Sequence, residues 1–272
     1  MSNLTQRIIT ALIGASFVIT AILYDEFTFL LLLLLITLLG VYEFYHLLKQ
    51  DGVEPQVIPG LSIAALPFLS PVLQSGAGIP LNLLPLLLIL PYIIFIRELY
   101  TKSAKPFTNI ALTLLGPIYL SFPLFLFYLY SFQGNDPDNY HPYNVLGYLF
   151  ILWASDTGAY FAGRFLGKHK LFERISPKKT WEGFFGGLIL AVAVALLISN
   201  YYTGFDRMTW IAIALIIVIT GALGDLVESL FKRSIAIKDS GNILPGHGGI
   251  LDRFDGLFIS APFVFVYLLL FQ

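Results

Sequence analysis

Charged side chains are sparse in this 272-residue chain, and those set inside apolar runs stand at helical spacing. Asp225, Glu228, Ser229 and Lys232 occupy positions i, i+3, i+4 and i+7 of one run, so they share a helical face. Asp156, Tyr160 and Arg164 are spaced by four in an earlier run, interleaved with Gly158, Ala159, Ala162 and Gly163, small residues that permit close helix packing. A carboxylate in apolar surroundings is costly and ordinarily faces a polar cavity or a partner. Asp156 and Asp225 lining one cavity is therefore the sharper expectation. The plainer ones are a Glu228–Lys232 ion pair, and an Asp156 that pairs with Arg164 or caps a neighbouring helix.

Two polar segments supply cations. Lys168 to Trp181, KHKLFERISPKKTW, leads directly into an apolar run and gathers Ser176, Lys178, Lys179 and Thr180 near a predicted helix N-terminus. Free backbone N–H groups and the helix dipole favour phosphate there; lysines that only set topology or touch anionic lipid heads are the alternative. The second segment, KRSIAIKDSGNILPGHGGILDRFDG, starts at Lys232. In it Gly246, Gly248 and Gly249 flank His247 and allow the backbone to approach a ligand closely. Asp252, Arg253 and Asp255 follow. Capping of the next helix would account for one of those carboxylates, but not for the whole set.

Carboxylates without cysteine and with little histidine suit a hard cation, and Mg²⁺ commonly binds one or two carboxylates together with substrate phosphates. Adjacent Lys and Arg suit the phosphates themselves. This is the equipment of nucleotide phosphoryl or nucleotidyl transfer, in which positioning and charge stabilisation do most of the catalysis. One or two divalent ions are expected, and the membrane setting argued next implies a lipid co-substrate.

The elements that must position these groups are membrane spans. Hydrophobic residues make up 57% of the chain and charged ones 12%, against about 25% charged in ordinary soluble domains. A water-soluble fold is thereby excluded. A span needs about 20 apolar residues to cross a core roughly 30 Å thick. Nine runs qualify approximately: Ile8 to Tyr24, Phe27 to Leu48, Val57 to Leu73, Leu81 to Ile96, Thr108 to Phe132, Val145 to Phe165, Gly183 to Ser199, Met208 to Phe231 and Gly256 to Phe271. The expected fold is an all-α, polytopic transmembrane protein of about nine spans, with a polar cytoplasm-facing cavity in its C-terminal half. Pro67, Pro71, Pro85 and Pro91 break the third and fourth runs, which are expected to be full, kinked or re-entrant. Residues 1–105 form N-terminal transmembrane helices, and 106–272 a catalytic transmembrane domain with cytoplasmic loops 164–182 and 232–255.

Alternating the nine spans puts fifteen of the sixteen Lys and Arg on one side, leaving Arg207 opposite. By the positive-inside rule that side is cytoplasmic, which places the N-terminus inside and Gln272 outside. The first run is expected to be a retained span, because Tyr24, Asp25 and Glu26 follow it where a cleavage site would need small residues. The absence of cysteine excludes disulfides and thiolate metal sites.

The stretch Ser229 to Asp255 resembles the signature of the phosphatidate cytidylyltransferase (CDP-diacylglycerol synthase) family. The resemblance is carried by Ser229, Lys232, Arg233, Lys238, Asp239, Gly241, Pro245, His247, Gly248, Gly249, Asp252, Arg253 and Asp255 at their spacings, and the DTGAYFAGRFLGK and ISPKKTWEG segments extend it over about Trp153 to Asp255. It implies transfer of CMP from CTP to phosphatidic acid, giving CDP-diacylglycerol and pyrophosphate with Mg²⁺, in a bacterial-type plasma or inner membrane. Asp225 and Asp252 are then expected at metal, with Asp255 and Asp156 as further candidates. Lys232, Arg233, Lys238 and Arg253 fall to phosphates, and Asp225, Asp252, Lys232 and Arg253 form the expected catalytic set. Ser176, Lys178, Lys179 and Thr180 are expected to hold CTP or its leaving pyrophosphate, with Ser229, His247, Gly248 and Gly249 also against substrate. Membrane lipids are the expected surroundings, nucleic acid is not an expected partner, and a homodimer is compatible with this size. Two other readings remain: a CTP-dependent polyprenol or lipid-alcohol kinase, and an ion-coupled transporter, for which the two halves show no matching polar positions.

Overall fold

The computed structural model describes residues 3–75, 89–136, 139–202, 204–238, 240–241 and 248–272. Among these residues the chain runs α1 (Asn3–Tyr24), α2 (Glu26–Gln50), α3 (Val57–Ser75), α4 (Leu90–Glu98), α5 (Pro106–Tyr130) and α6 (Pro142–Leu166). A short hairpin, β1 (Lys170–Phe172) and β2 (Ser176–Thr180), then leads to α7 (Trp181–Ile198), α8 (Arg207–Ser234) and α9 (Leu251–Phe271). A helix stands in each of the nine apolar runs. Six of them, α2 and α5 to α9, are long and apolar enough to cross a membrane. In the fourth run the described helix starts only at Leu90, and residues 81–88 lie outside the described set. Nine residues at about 1.5 Å each cover less than half of a hydrocarbon core.

Local sequence sets the helix ends. Asp25 caps α2 in a reciprocal box: its carboxylate accepts from Thr28 N at 2.6 Å, and the Thr28 hydroxyl accepts from Asp25 N at 3.3 Å. Asp206 caps α8 by accepting from Thr209 N at 2.7 Å, and Thr180 caps α7 by accepting from Gly183 N at 3.1 Å. Pro106 and Pro142 open α5 and α6, where the missing N–H leaves no bond unmade. Pro117 and Pro123 lie within α5, and the helix accommodates Pro117 with a π-helical turn, Pro117–Ser121.

Between α6 and α7 the small residues bring two backbones almost into contact. A Cβ on Gly158 would stand 2.6 Å from the Gly186 carbonyl oxygen, and one on Gly187 2.7 Å from that of Ser155. Association in lipid lacks a hydrophobic drive, so close van der Waals approach of this kind supplies it. On the outer surface, Ile189 and Met208 are each 71% exposed and Leu269 61% exposed, a distribution that fits contact with lipid rather than water.

The hairpin departs from the all-α expectation. Ser176, Lys178, Lys179 and Thr180 all stand in the strand β2, with Pro177 between the first two, and β2 pairs antiparallel with β1 through Lys170 opposite Thr180 and Phe172 opposite Ser176. Extended backbone with period-two alternation therefore presents these lysines, and the helix begins only after them.

Candidate functional site

A cavity of about 700 Å³ opens among the C-terminal part of α6, β2, the start of α7, the middle of α8 and the first turns of α9. Its charged lining comes from four elements that the chain separates widely. Asp156 and Arg164 come from α6, Lys178 and Lys179 from β2, Asp225 from α8, and Asp252, Arg253 and Asp255 from α9. Gly221 on α8 and Gly256 on α9 line the same space, and a Cβ on Gly256 would stand 3.7 Å from the Gly221 Cα, so the helices carrying Asp225 and Asp255 approach closely there.

Two ion-pair systems of different character meet at this cavity. In the first, Lys179 Nζ lies 2.6 Å from Asp225 Oδ2, with side-chain exposures of 24% and 42%, while Asp225 Oδ1 accepts from Ser229 Oγ at 3.2 Å. A pair this open to solvent is worth about 0–1 kcal/mol, so a ligand displaces it cheaply. In the second, Lys232 Nζ sits 2.6 Å from both Glu228 Oε2 and Asp252 Oδ1, with side-chain exposures of 14%, 2% and 11% for the three groups. Removing one partner of such a buried set costs about 3–5 kcal/mol, which makes it a fixed brace. The plainer expectation for Glu228, an ion pair with Lys232, is the arrangement observed.

Asp252 is fully engaged by the protein. Beyond Lys232, its Oδ2 accepts from Ser240 N at 3.1 Å and Gly249 N at 3.0 Å, and the Ser240 Oγ lies 3.0 Å away. These bonds tie Ser240 and Gly249, in the segment between α8 and α9, to the first turn of α9 at the edge of the cavity. The glycines of that segment answer to the same geometry. Gly248 has φ +86, a left-handed backbone, and a Cβ there would stand 2.6 Å from Asp252 Oδ2. Gly249 is pressed against the Glu43 carboxylate and the Ser240 hydroxyl, with no room for a Cβ. Both glycines meet carboxylates of the chain itself rather than the cavity.

The other expected residues divide clearly. Thr180 lines the cavity and caps α7. Ser176 stands at the far end of β2, paired with Phe172. Arg233, in the last turn of α8, and Lys238, beyond its end, are both exposed, and Arg233 Nη1 donates to the Ile237 carbonyl at 3.2 Å. His247 lies outside the described residues, as do Asp239 and Pro245 of the motif. The proposed Asp156–Arg164 pair is not formed: Arg164 Nη1 donates to the Tyr160 hydroxyl at 2.8 Å, and among the described residues Asp156 makes no ion pair. Sequence reasoning passed over Glu43, a buried acid of α2 at 3% exposure. The signal was present, since Glu43 interrupts the apolar run Phe27 to Leu48 five residues before its end.

Among the described residues no three Asp, Glu or His groups converge as a closed metal cage. Asp156, Asp225 and Asp255 nevertheless open onto one cavity as oxygen-only donors. That set suits a hard ion that takes few ligands from protein and the rest from water and phosphate.

Residues 5–271 match the sequence model of the cytidylyltransferase family. The phosphatidate cytidylyltransferase of Staphylococcus epidermidis is 37% identical over 244 residues, covering 88% of this chain and 90% of that one. The enzymes of the same name from Staphylococcus aureus and Staphylococcus saprophyticus are 36% and 38% identical over the same shares.

Proposed function

The chain belongs to the cytidylyltransferase family, and we infer that it transfers CMP from CTP to phosphatidic acid, forming CDP-diacylglycerol and pyrophosphate in phospholipid biosynthesis. The observation that carries this reading to the site is a single cavity that joins Asp156, Asp225 and Asp255 to Lys178, Lys179 and Arg253. Three acids and three bases facing one another suit a reaction whose main difficulty is bringing two polyanions together.

A phosphate oxygen of phosphatidic acid attacks the α-phosphorus of CTP in line; the bond from that phosphorus to the bridging oxygen breaks, and pyrophosphate leaves with the electron pair. The nucleophile is already largely ionised, since the second pKa of a phosphate monoester is about 6, so no strong base is needed. Lys179 exchanges its contact with Asp225 for the phosphates of CTP, an exchange that the exposure of the pair makes inexpensive. Lys178 and the start of α7 behind Thr180 hold the same polyphosphate, and Arg253 neutralises charge developing across the cavity. Arg233 and Lys238, exposed at and just past the end of α8, receive the lipid head group. Asp225, with Asp156 and Asp255, would hold Mg²⁺, which when bound supplies positive charge to the polyphosphate. Lys232, Glu228 and Asp252 keep α8 and α9 in register.

The cavity end of the bundle faces the cytoplasm in this reading, because fifteen of sixteen Lys and Arg fall on that side. The decisive assay incubates purified protein with labelled CTP and phosphatidic acid. Cytidine on the lipid and free pyrophosphate are expected. Release of CDP with phosphate on the lipid would instead establish a kinase.

A further inference from the structure

We propose that Glu43, in the N-terminal half of the chain, is a positioning residue for the transfer reaction. Its carboxylate is 3% exposed and carries no ion pair among the described residues. A buried acid in such surroundings costs several kcal/mol unless its lone pairs are satisfied. Among the described residues they are satisfied by the segment that enters α9. Oε2 accepts from Ile250 N at 2.8 Å, and Oε1 accepts from Leu251 N at 3.4 Å and from the Ser240 hydroxyl.

Helix α9 has no side-chain cap of its own, since its N-cap is Ile250 with no side-chain hydrogen bond. Its first N–H groups are the orphan donors that every helix N-terminus presents, and they favour a negative charge. Glu43 supplies that charge from α2, about 200 residues away in sequence. The cap is thus borrowed from the half of the molecule that contributes nothing to the cavity lining.

The consequence reaches the cavity by a short route. Ser240 donates its hydroxyl to Glu43 and lies 3.0 Å from Asp252 Oδ2, so the two carboxylates clasp one serine between them. Asp252, Arg253 and Asp255 lie in the first two turns that Glu43 anchors, and all three line the cavity. The lysines that meet CTP sit on β2, which has no contact with the clasp in its hydrogen bonding. Loss of the clasp therefore misplaces the groups of α9 relative to bound CTP while leaving the β2 contacts intact.

This reasoning rests on the transferase reading above and predicts a split between kinetic constants. In the detergent-purified full chain, Glu43→Gln removes one of two acceptors and should lower kcat roughly tenfold to a hundredfold, the scale of a sub-ångström to ångström misplacement. The apparent KM for CTP should stay within about threefold, since the β2 lysines that bind the polyphosphate keep their places. Ser240→Ala should show the same split, and adding it to Glu43→Gln should lower kcat little further, because both act through one clasp. Wild-type kcat in Glu43→Gln overturns the proposal, and so does a fall in kcat matched by an equal rise in KM. If Glu43→Gln fails to fold, Ser240→Ala decides: a lowered kcat with unchanged KM supports the clasp, and wild-type kcat overturns it. An inactive wild-type protein in the same assay would instead count against the transferase reading.

Discussion

Replacing Lys232 with methionine isolates the brace between α8 and α9. The ammonium touches Glu228 and Asp252 at 2.6 Å each, in surroundings where Glu228 is 2% exposed. Methionine keeps much of the stem's volume and removes the charge. Asp252 then keeps its donors from Ser240 and Gly249, but Glu228 loses its partner at Oε2, and its Oε1 already has none. One buried carboxylate left uncompensated costs about 3–5 kcal/mol, which at roughly 2–4 °C per kcal/mol lowers the thermal midpoint by about 6–20 °C. Glu228→Gln in the same chain removes the stranded charge and should recover about half of the loss. A temperature series followed by size-exclusion in detergent reads both. A loss below about 1 kcal/mol in Lys232→Met, the scale of a solvated pair, would refute the claim that this triad is a dry brace. So would a double variant no more stable than the single.

Lys179→Ala breaks a solvent-open pair, so its stability should stay within about 1 kcal/mol of wild type while the apparent KM for CTP rises; steady-state kinetics beside a melting curve separate the two. Asp225→Asn should abolish Mg²⁺-dependent pyrophosphate release with the fold intact, and Mg²⁺ with CTP should raise the thermal midpoint of wild type but not of the variant. Gly158→Ala forces a methyl against the Gly186 carbonyl and should cost about 1–3 kcal/mol of stability, measured by the same thermal series, because backbone there cannot move aside without parting α6 from α7.

Much of this was legible because membrane proteins write their constraints locally. Among the described residues a helix stands in each of the nine apolar runs, and the six long enough to span follow the rule that a backbone in lipid must satisfy its own hydrogen bonds. Asp156 and Asp225 stood out for the same reason, as charges in segments that tolerate few. Gly158, Ala159, Ala162 and Gly163 signalled the tight α6–α7 contact through size alone. The strand character of SPKKT was not legible, because Pro, Ser and Lys carry little strand propensity and the pairing partner decides. Nor was the allocation of carboxylates: Asp225 and Asp252 look alike in sequence and both line the cavity, yet one sits in a solvent-open pair with Lys179 and the other is held by Lys232 and by the backbone N–H groups of Ser240 and Gly249.

The chain by itself determined its class, the helices, the motif and the family's chemistry, because hydropathy, small-residue spacing and short motifs are properties of neighbouring residues. Only the tertiary structure decided which lysine is loose and which is locked, why Gly248 and Gly249 are glycines, and that Glu43 caps α9. Those depend on burial and on hydrogen-bond partners some 200 residues apart, and the strength of a charge is set by its surroundings rather than by its identity.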